Sequence, residues 1–185
     1  MSKIKEPIFV IGTGRCGSTI FHNIFSNHSQ VSWLSGFSGK YPQYPIINNT
    51  LMRAIDFPIV GKILRKKFKP WENYQFGEYY LPGFSEPSKD LVKEDINQRS
   101  KIQIKKVLSR MITNKRNKLI IKITGWPRIE YIKSIFPDAK FIHVVRDGRA
   151  VVNSLMNVSF WKGREGPEKW RWGLLSKEHQ EIWEK

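Results

Sequence analysis

Residues 7–26 read PIFVIGTGRCGSTIFHNIFS and predict a strand, a tight turn and the start of a helix. The apolar run at positions 8–11 is typical of a buried strand, and apolar residues recur at helical spacing after position 19. Between them lie three glycines: Gly12, Gly14 and Gly17. Such a turn leaves backbone N–H groups unpaired at the positive end of a helix dipole, so it favours a phosphate-like anion. Arg15 adds a fixed positive charge to the turn.

The composition is that of a globular, strongly basic protein. The 185 residues include 32 lysines and arginines against 16 acidic residues, a formal net charge of +16, and 40% are hydrophobic. This excess favours anionic partners, namely a nucleotide, a sulfated or phosphorylated substrate, nucleic acid or an acidic membrane surface. No apolar run reaches the length of a membrane span, and no signal-peptide hydrophobic region precedes the first strand. The single cysteine, Cys16, excludes an internal disulfide. We expect a cytoplasmic protein.

Strand and helix patterns alternate along the chain. Further strands are predicted at 31–34, 119–124 and 140–145, and the clearest helices at 17–27, 97–114 and 149–156. This order predicts an α/β fold: a three-layer, P-loop-like domain with a central parallel sheet flanked by helices. Because ligands collect at the carboxyl ends of parallel strands, residues 12–19, 125–128 and 146–148 should share one edge of the sheet.

The middle of the chain gives weaker signals. Residues 35–44 are predicted to form a loop, a helix is expected from Asn48 or Asn49 to Phe57, and a basic helix from Ile59 to Phe68. Residues 70–89 are aromatic and turn-rich and predict an irregular segment. Another helix is expected to start at Pro127.

Residues 12–19 overlap with three known patterns of phosphate-binding loop. A kinase-type loop requires a lysine where Ser18 stands. The dinucleotide fingerprint GxGxxG is matched literally, but it requires an acid after the next strand, and residues 31–40 contain none. A cysteine-phosphatase loop requires an arginine six residues after Cys16, where the sequence has His22.

The segment GTGRCGST instead resembles the cofactor loop of the sulfotransferase family. A second segment, residues 135–154 with the sequence IFPDAKFIHVVRDGRAVVNS, resembles the family's other signature. There an arginine at a strand end, here Arg146, and a helical serine eight residues later, here Ser154, hold a 3′-phosphate. Gly148 is similar to the bacterial and tyrosylprotein branches. The resemblance implies one domain over residues 1–185, without the C-terminal part of the usual family domain.

The resemblance implies transfer of a sulfuryl group from 3′-phosphoadenosine 5′-phosphosulfate (PAPS) to a hydroxyl or amine, without a metal. The acceptor would be a small molecule, a glycan or a peptide, and no nucleic acid is expected as a partner. Arg146 and Ser154 would hold the 3′-phosphate, and Arg15 would also stabilise the transferred group. The 5′-phosphosulfate would be held by the loop residues: Gly14, Arg15, Cys16, Gly17, Ser18 and Thr19.

The catalytic base is not given by the resemblance. Cytosolic members carry Lys-x-His where this chain has Lys122-Ile123-Thr124, and the acid of the tyrosylprotein branch is missing near Gly36. Glu72 is therefore the first candidate for the base and Glu78 the second, both in the aromatic segment. Because Ile20 stands where many members place a tryptophan, Trp126 is the candidate for stacking on adenine. Two alternatives stay open: a P-loop-like phosphate-binding or kinase-like protein, and a basic scaffold for polyanions.

Overall fold

A computed structural model describes residues 4–85 and 89–159, which fold around a parallel sheet. Its four strands are β1 (Ile8–Gly12), β2 (Val31–Trp33), β3 (Lys118–Thr124) and β4 (Lys140–His143). They lie in the order β2-β3-β1-β4, so β1 is an inner strand. Gly12 at the end of β1 pairs with Thr124 at the end of β3. The α/β prediction is confirmed. The tryptophan-rich segment 160–185 lies outside the described residues.

Helices connect the strands, and a 3₁₀ turn lies at Lys93–Asp95. In the part of the chain that the structure describes, no helix has both the length and the apolar character needed to cross a membrane. The helices are α1 (Ser18–Ser26), α2 (Gly36–Lys40), α3 (Pro45–Ala54), α4 (Pro58–Lys67), α5 (Tyr74–Tyr80), α6 (Gln98–Met111), α7 (Ile129–Ile135) and α8 (Gly148–Met156).

Alternate residues of β1 enter two different cores, which makes the fold three-layered. Phe9 and Ile11 pack in a cluster with the buried faces of α6 and α7. Val10, between them, packs in a second cluster with Met52 of α3 and with Trp33 and Phe68. This follows from the two-residue period of a strand, since successive side chains point to opposite faces of the sheet.

Several predicted boundaries in the middle of the chain are wrong. The predicted loop 35–44 contains α2, where Ser35 and Ser38 form a reciprocal capping box. The predicted irregular segment 70–89 contains α5, which buries Phe76 and Tyr80, four residues apart on one helical face. Burial thus outweighs the loop-like composition of α5, whereas α2 is mostly exposed and is held by its capping box and by Ser38, which donates to Asn48 Oδ1 at 3.0 Å.

Two helix starts also differ from the prediction. Helix α3 begins at Pro45 rather than at Asn48 or Asn49, because proline suits the first turn of a helix. Helix α7 begins at Ile129, two residues after Pro127. The delay has a local cause, since Arg128 adopts a left-handed conformation with φ 52° and its N–H donates to Asp90 (2.8 Å).

A buried arginine just before β3 holds two other connections of the chain in place next to the second core. Arg116, only 1% exposed, donates from Nε and NH2 to Asp56 Oδ1 at 3.1 and 2.8 Å. Its NH1 donates to the carbonyls of His28 and Val31 at 3.0 and 2.8 Å, and its guanidinium lies 5.6 Å from the centre of the Trp33 ring. One side chain thereby fixes the α1–β2 and α3–α4 connections to the start of β3.

Candidate active site

The glycine-rich turn has the geometry of an anion loop. Arg15 and Gly17 are left-handed, with φ of 67° and 96°, and Gly17 caps α1 with no side-chain hydrogen bond to the first turn. The first N–H groups of a helix have no acceptor within it, so those of Ser18 and Thr19 stay available to a ligand. Gly12 allows the close packing beneath, because an added Cβ would lie 2.6 Å from the Val144 carbonyl oxygen.

The second sequence motif meets this loop, although the two are far apart in the chain. Arg15 Nε donates to Ser154 Oγ of α8 at 2.9 Å, across 139 positions of sequence. Arg146, which follows β4, donates from NH1 to the Arg15 carbonyl oxygen at 3.0 Å. Gly125 N donates to Gly12 O at 3.0 Å, so the three predicted segments share the carboxyl edge of the sheet. Two guanidinium groups and a helix N-terminus therefore lie side by side at this edge of the sheet.

The remaining loop residues differ in accessibility. Cys16 and Ser18 are buried, at 5% and 3% exposure, whereas Thr19 is exposed. The Cys16 side chain packs in the second core, and its Sγ lies 2.8 Å from where a Cβ on Gly12 would stand. Cys16 therefore supports the loop from inside, and Gly14 and Thr19 lie on its outer part.

Lys122, near the end of β3, connects the loop to an acid. Its Nζ donates to Thr19 Oγ1 at 2.7 Å and pairs with Glu72 Oε1 at 2.7 Å. The lysine side chain is only 7% exposed. Thr124 also donates to Glu72 Oε1, at 3.1 Å. Glu72, the first candidate for the base, thus lies one side chain away from the anion loop.

Tyr74 binds the backbone of Thr124, the residue that also contacts Glu72. Its hydroxyl donates to the Thr124 carbonyl and accepts the Thr124 N–H at 3.0 Å, so it acts as both donor and acceptor. Burial raises the pKa of Tyr74, which keeps the phenol neutral in this role. Tyr74 was not singled out from the sequence, because nothing local connects it to β3, 50 positions away.

The two candidate acids have different surroundings. Within residues 4–85 and 89–159, no protein group donates to Glu72 Oε2, so one carboxylate oxygen is free to take a proton. Glu78 instead accepts the N–H groups of Gly83 and Ser85 at 2.8 and 2.7 Å, and it closes the turn after α5. Of the two acids, Glu72 is the one that contacts Lys122 and Thr124.

His22, on α1, is a buried histidine beside the same lysine. It is 1% exposed, and its Nε2 has no partner among the described residues. Burial first, and the charge of Lys122 second, lower the pKa of His22 from 6.5 to about 4. The imidazole is therefore neutral in the folded protein at neutral pH.

The free energy of unfolding is expected to fall as the pH is lowered from 6.5 to about 4. In this window the unfolded chain protonates His22 but the folded protein does not, so proton uptake favours unfolding, by up to about 3 kcal/mol. Urea denaturation across the window measures it. His22→Gln should flatten the slope and the exposed His143→Gln should not; equal slopes in both variants and the parent would contradict the assignment.

Trp126 follows β3 at the same edge of the sheet and is 39% exposed. Its carbonyl accepts a hydrogen bond from Arg128 NH1 at 2.6 Å. In the described part of the chain, no three His, Cys, Asp or Glu side chains are grouped so as to hold a metal ion.

Comparison with known proteins identifies the family of the chain. The sequence model of the sulfotransferase family matches residues 7–174, nearly the whole chain. No curated protein and no solved structure matches. The matched range includes the glycine loop, Glu72, and the segment that carries Arg146 and Ser154. The chain therefore belongs to the sulfotransferase family.

Proposed function

We propose that this protein transfers a sulfuryl group from PAPS to a hydroxyl or amine acceptor by in-line displacement. The observation that carries the proposal is the junction of the two anion motifs, where Arg15 reaches Ser154 and Arg146 reaches the Arg15 backbone. A donor with a phosphosulfate at one end and a 3′-phosphate at the other requires two adjacent cationic sites. The carboxyl edge of the sheet offers two such sites, at Arg15 and at Arg146.

The residues at this edge of the sheet fit the two ends of the donor. The uncapped N-terminus of α1, with the N–H groups of Gly17 to Thr19, suits the 5′-phosphosulfate. Arg146 and Ser154 suit the 3′-phosphate, since a guanidinium and a hydroxyl both donate to phosphate oxygens. Trp126 remains our candidate for stacking on the adenine.

Sulfuryl transfer requires groups that stabilise the developing negative charge and a base that takes the proton of the acceptor. The acceptor oxygen or nitrogen attacks sulfur, the bond from sulfur to the bridging oxygen breaks, and 3′-phosphoadenosine 5′-phosphate leaves. Arg15 and Lys122 stabilise the charge that spreads over the sulfuryl and bridging oxygens. Arg15 stays protonated and cannot act as acid or base, so Glu72 takes the proton of the acceptor.

Replacing either Arg15 or Arg146 by alanine is expected to weaken binding of 3′-phosphoadenosine 5′-phosphate by about 10- to 100-fold, because each removes a hydrogen bond between charged groups. Isothermal titration calorimetry measures the change. Arg149→Ala is the matched control, since Arg149 is an exposed arginine of α8 whose side chain pairs with Asp147. It should bind like the parent.

The same titrations separate the alternatives. The parent should prefer 3′-phosphoadenosine 5′-phosphate to ATP and NAD, and preference for either of these would favour a different nucleotide site. Binding of any polyanion with a steep salt dependence, equally reduced in all three variants, would favour a scaffold instead.

A further inference from the structure

Helix α4 and the residue before it expose an unusual amount of apolar side chain. Phe57, Ile59, Val60 and Ile63 are 63%, 79%, 48% and 62% exposed. These four large side chains lie within seven consecutive residues. A contiguous group of exposed apolar side chains indicates an interaction site, whereas single exposed apolar residues are common on protein surfaces.

The packing of α4 explains why this face points outward. Gly61 lies against the backbone that precedes the helix, and a Cβ there would lie 2.3 Å from the Ile55 carbonyl oxygen. Leu64 and Phe68 continue the inward side, and Phe68 enters the second core. At 100° per residue, Ile59 and Ile63 fall on the side opposite Gly61. The close contact at Gly61 therefore fixes the apolar side chains toward solvent.

Lysines surround the same apolar residues. Lys62, Lys66, Lys67 and Lys69 are all exposed, and residues 57–69 contain no acid. In the described ranges, 4–85 and 89–159, none of the four forms an ion pair. Their positive charge is thus left uncompensated by the protein.

We propose that this α4 surface, formed by Phe57, Ile59, Val60, Ile63 and the four lysines, binds an anionic lipid bilayer peripherally. The apolar side chains would enter the boundary between headgroups and acyl chains. The lysines, with flexible apolar stems, would direct their ammonium groups to the lipid headgroups. This role is independent of sulfuryl transfer.

The combination of apolar and basic residues favours a bilayer over other occupants. Nucleic acid would neutralise the lysines but leave Ile59 and Ile63 in water. A second copy would bring another chain of net charge +16 against the first, and like charges at an interface oppose association. An anionic bilayer, which is apolar beneath its headgroups, satisfies both kinds of side chain.

Flotation with vesicles tests the proposal on the full chain. The parent should bind vesicles of phosphatidylcholine with phosphatidylserine and bind phosphatidylcholine alone much more weakly. Lys66→Gln with Lys67→Gln should reduce the partition coefficient about 25-fold, at about five-fold per basic residue near an anionic surface. Ile59→Ser with Ile63→Ser should reduce it by about 10-fold or more, since the buried apolar area is lost.

Lys106→Gln with Lys133→Gln is the control, because it removes the same charge from exposed positions on α6 and α7, which pack on the first core. It should change binding far less. Vesicle binding that Ile59→Ser with Ile63→Ser leaves intact would overturn the proposal, as would equal losses in the two lysine pairs. Circular dichroism and thermal melting establish that each variant is folded.

A thiol at position 59 reports whether the surface is free. The only native cysteine, Cys16, is buried, so a water-soluble thiol reagent should react chiefly with the Ile59→Cys variant at its new site. The reaction should be fast without vesicles and slow with phosphatidylserine vesicles. A slow reaction without vesicles would mean that the protein itself, or a second copy, covers the surface, and would overturn the proposal.

Discussion

Glu72→Gln is expected to lower kcat by about 10²- to 10⁴-fold, the usual contribution of a general base. Glutamine has nearly the same shape, and its amide oxygen can still accept from Lys122 and Thr124, which now bind Glu72 Oε1. It cannot take a proton from the acceptor. Affinity for 3′-phosphoadenosine 5′-phosphate should change little, because the donor contacts that we propose lie on the loop, Arg146 and Ser154.

The measurement uses radiolabelled PAPS and an acceptor found by screening hydroxyl- and amine-bearing compounds with the parent. Glu78→Gln is the matched comparison, since Glu78 lies in the same segment but braces the turn at Gly83 and Ser85. It should keep most of the activity and melt at a lower temperature. The reverse pattern would move the base to Glu78, and near-normal rates in both variants would remove a carboxylate base from the mechanism.

Arg116→Met is expected to lower the free energy of unfolding by about 3–5 kcal/mol, as breaking a buried ion pair typically does. The change leaves Asp56 without its close partner and removes the Arg116 donor from the Val31 carbonyl, while the His28 carbonyl keeps only the N–H of Val31. Lys115, 3.4 Å from Asp56, offsets part of the loss but is itself exposed. Urea denaturation followed by circular dichroism measures the change.

Two further variants test this explanation. Arg116→Lys keeps the charge but loses the planar fork that contacts three residues, so it should recover only part of the stability. Replacing Asp56 by leucine together with Arg116→Met removes both charges, so its cost should be smaller than the sum of the single changes. A loss below about 1 kcal/mol for Arg116→Met would place the arginine among ordinary surface charges.

The parts of the fold that follow from local pattern could be predicted from the sequence. Residues 7–26 form the expected strand, turn and helix, because hydrophobic period and glycine spacing act over a few residues. The meeting of Arg146 with the loop also follows, since parallel strands end at one edge. Helices α2 and α5 could not be predicted, because a serine capping box in α2 and tertiary burial in α5 stabilise them against a loop-like composition.

The candidate site shows the same division. The anion loop is local and visible in the sequence, whereas the pairing of Glu72 with Lys122 joins residues 50 positions apart through a contact that no periodicity encodes. Lys122 was noted only as part of an incomplete Lys-x-His pattern. The buried fork of Arg116 is likewise invisible, because arginine is rarely buried and the sequence favours an exposed position for it.

The position of Cys16 makes its thiol a native probe of loop opening. Cys16 lies inside the loop and is 5% exposed, so we expect a thiol reagent to gain access only when the loop opens. The rate of thiol modification in the unaltered protein should therefore report how often the loop opens, without any added label. A nucleotide seated on the loop should slow the modification in proportion to its occupancy.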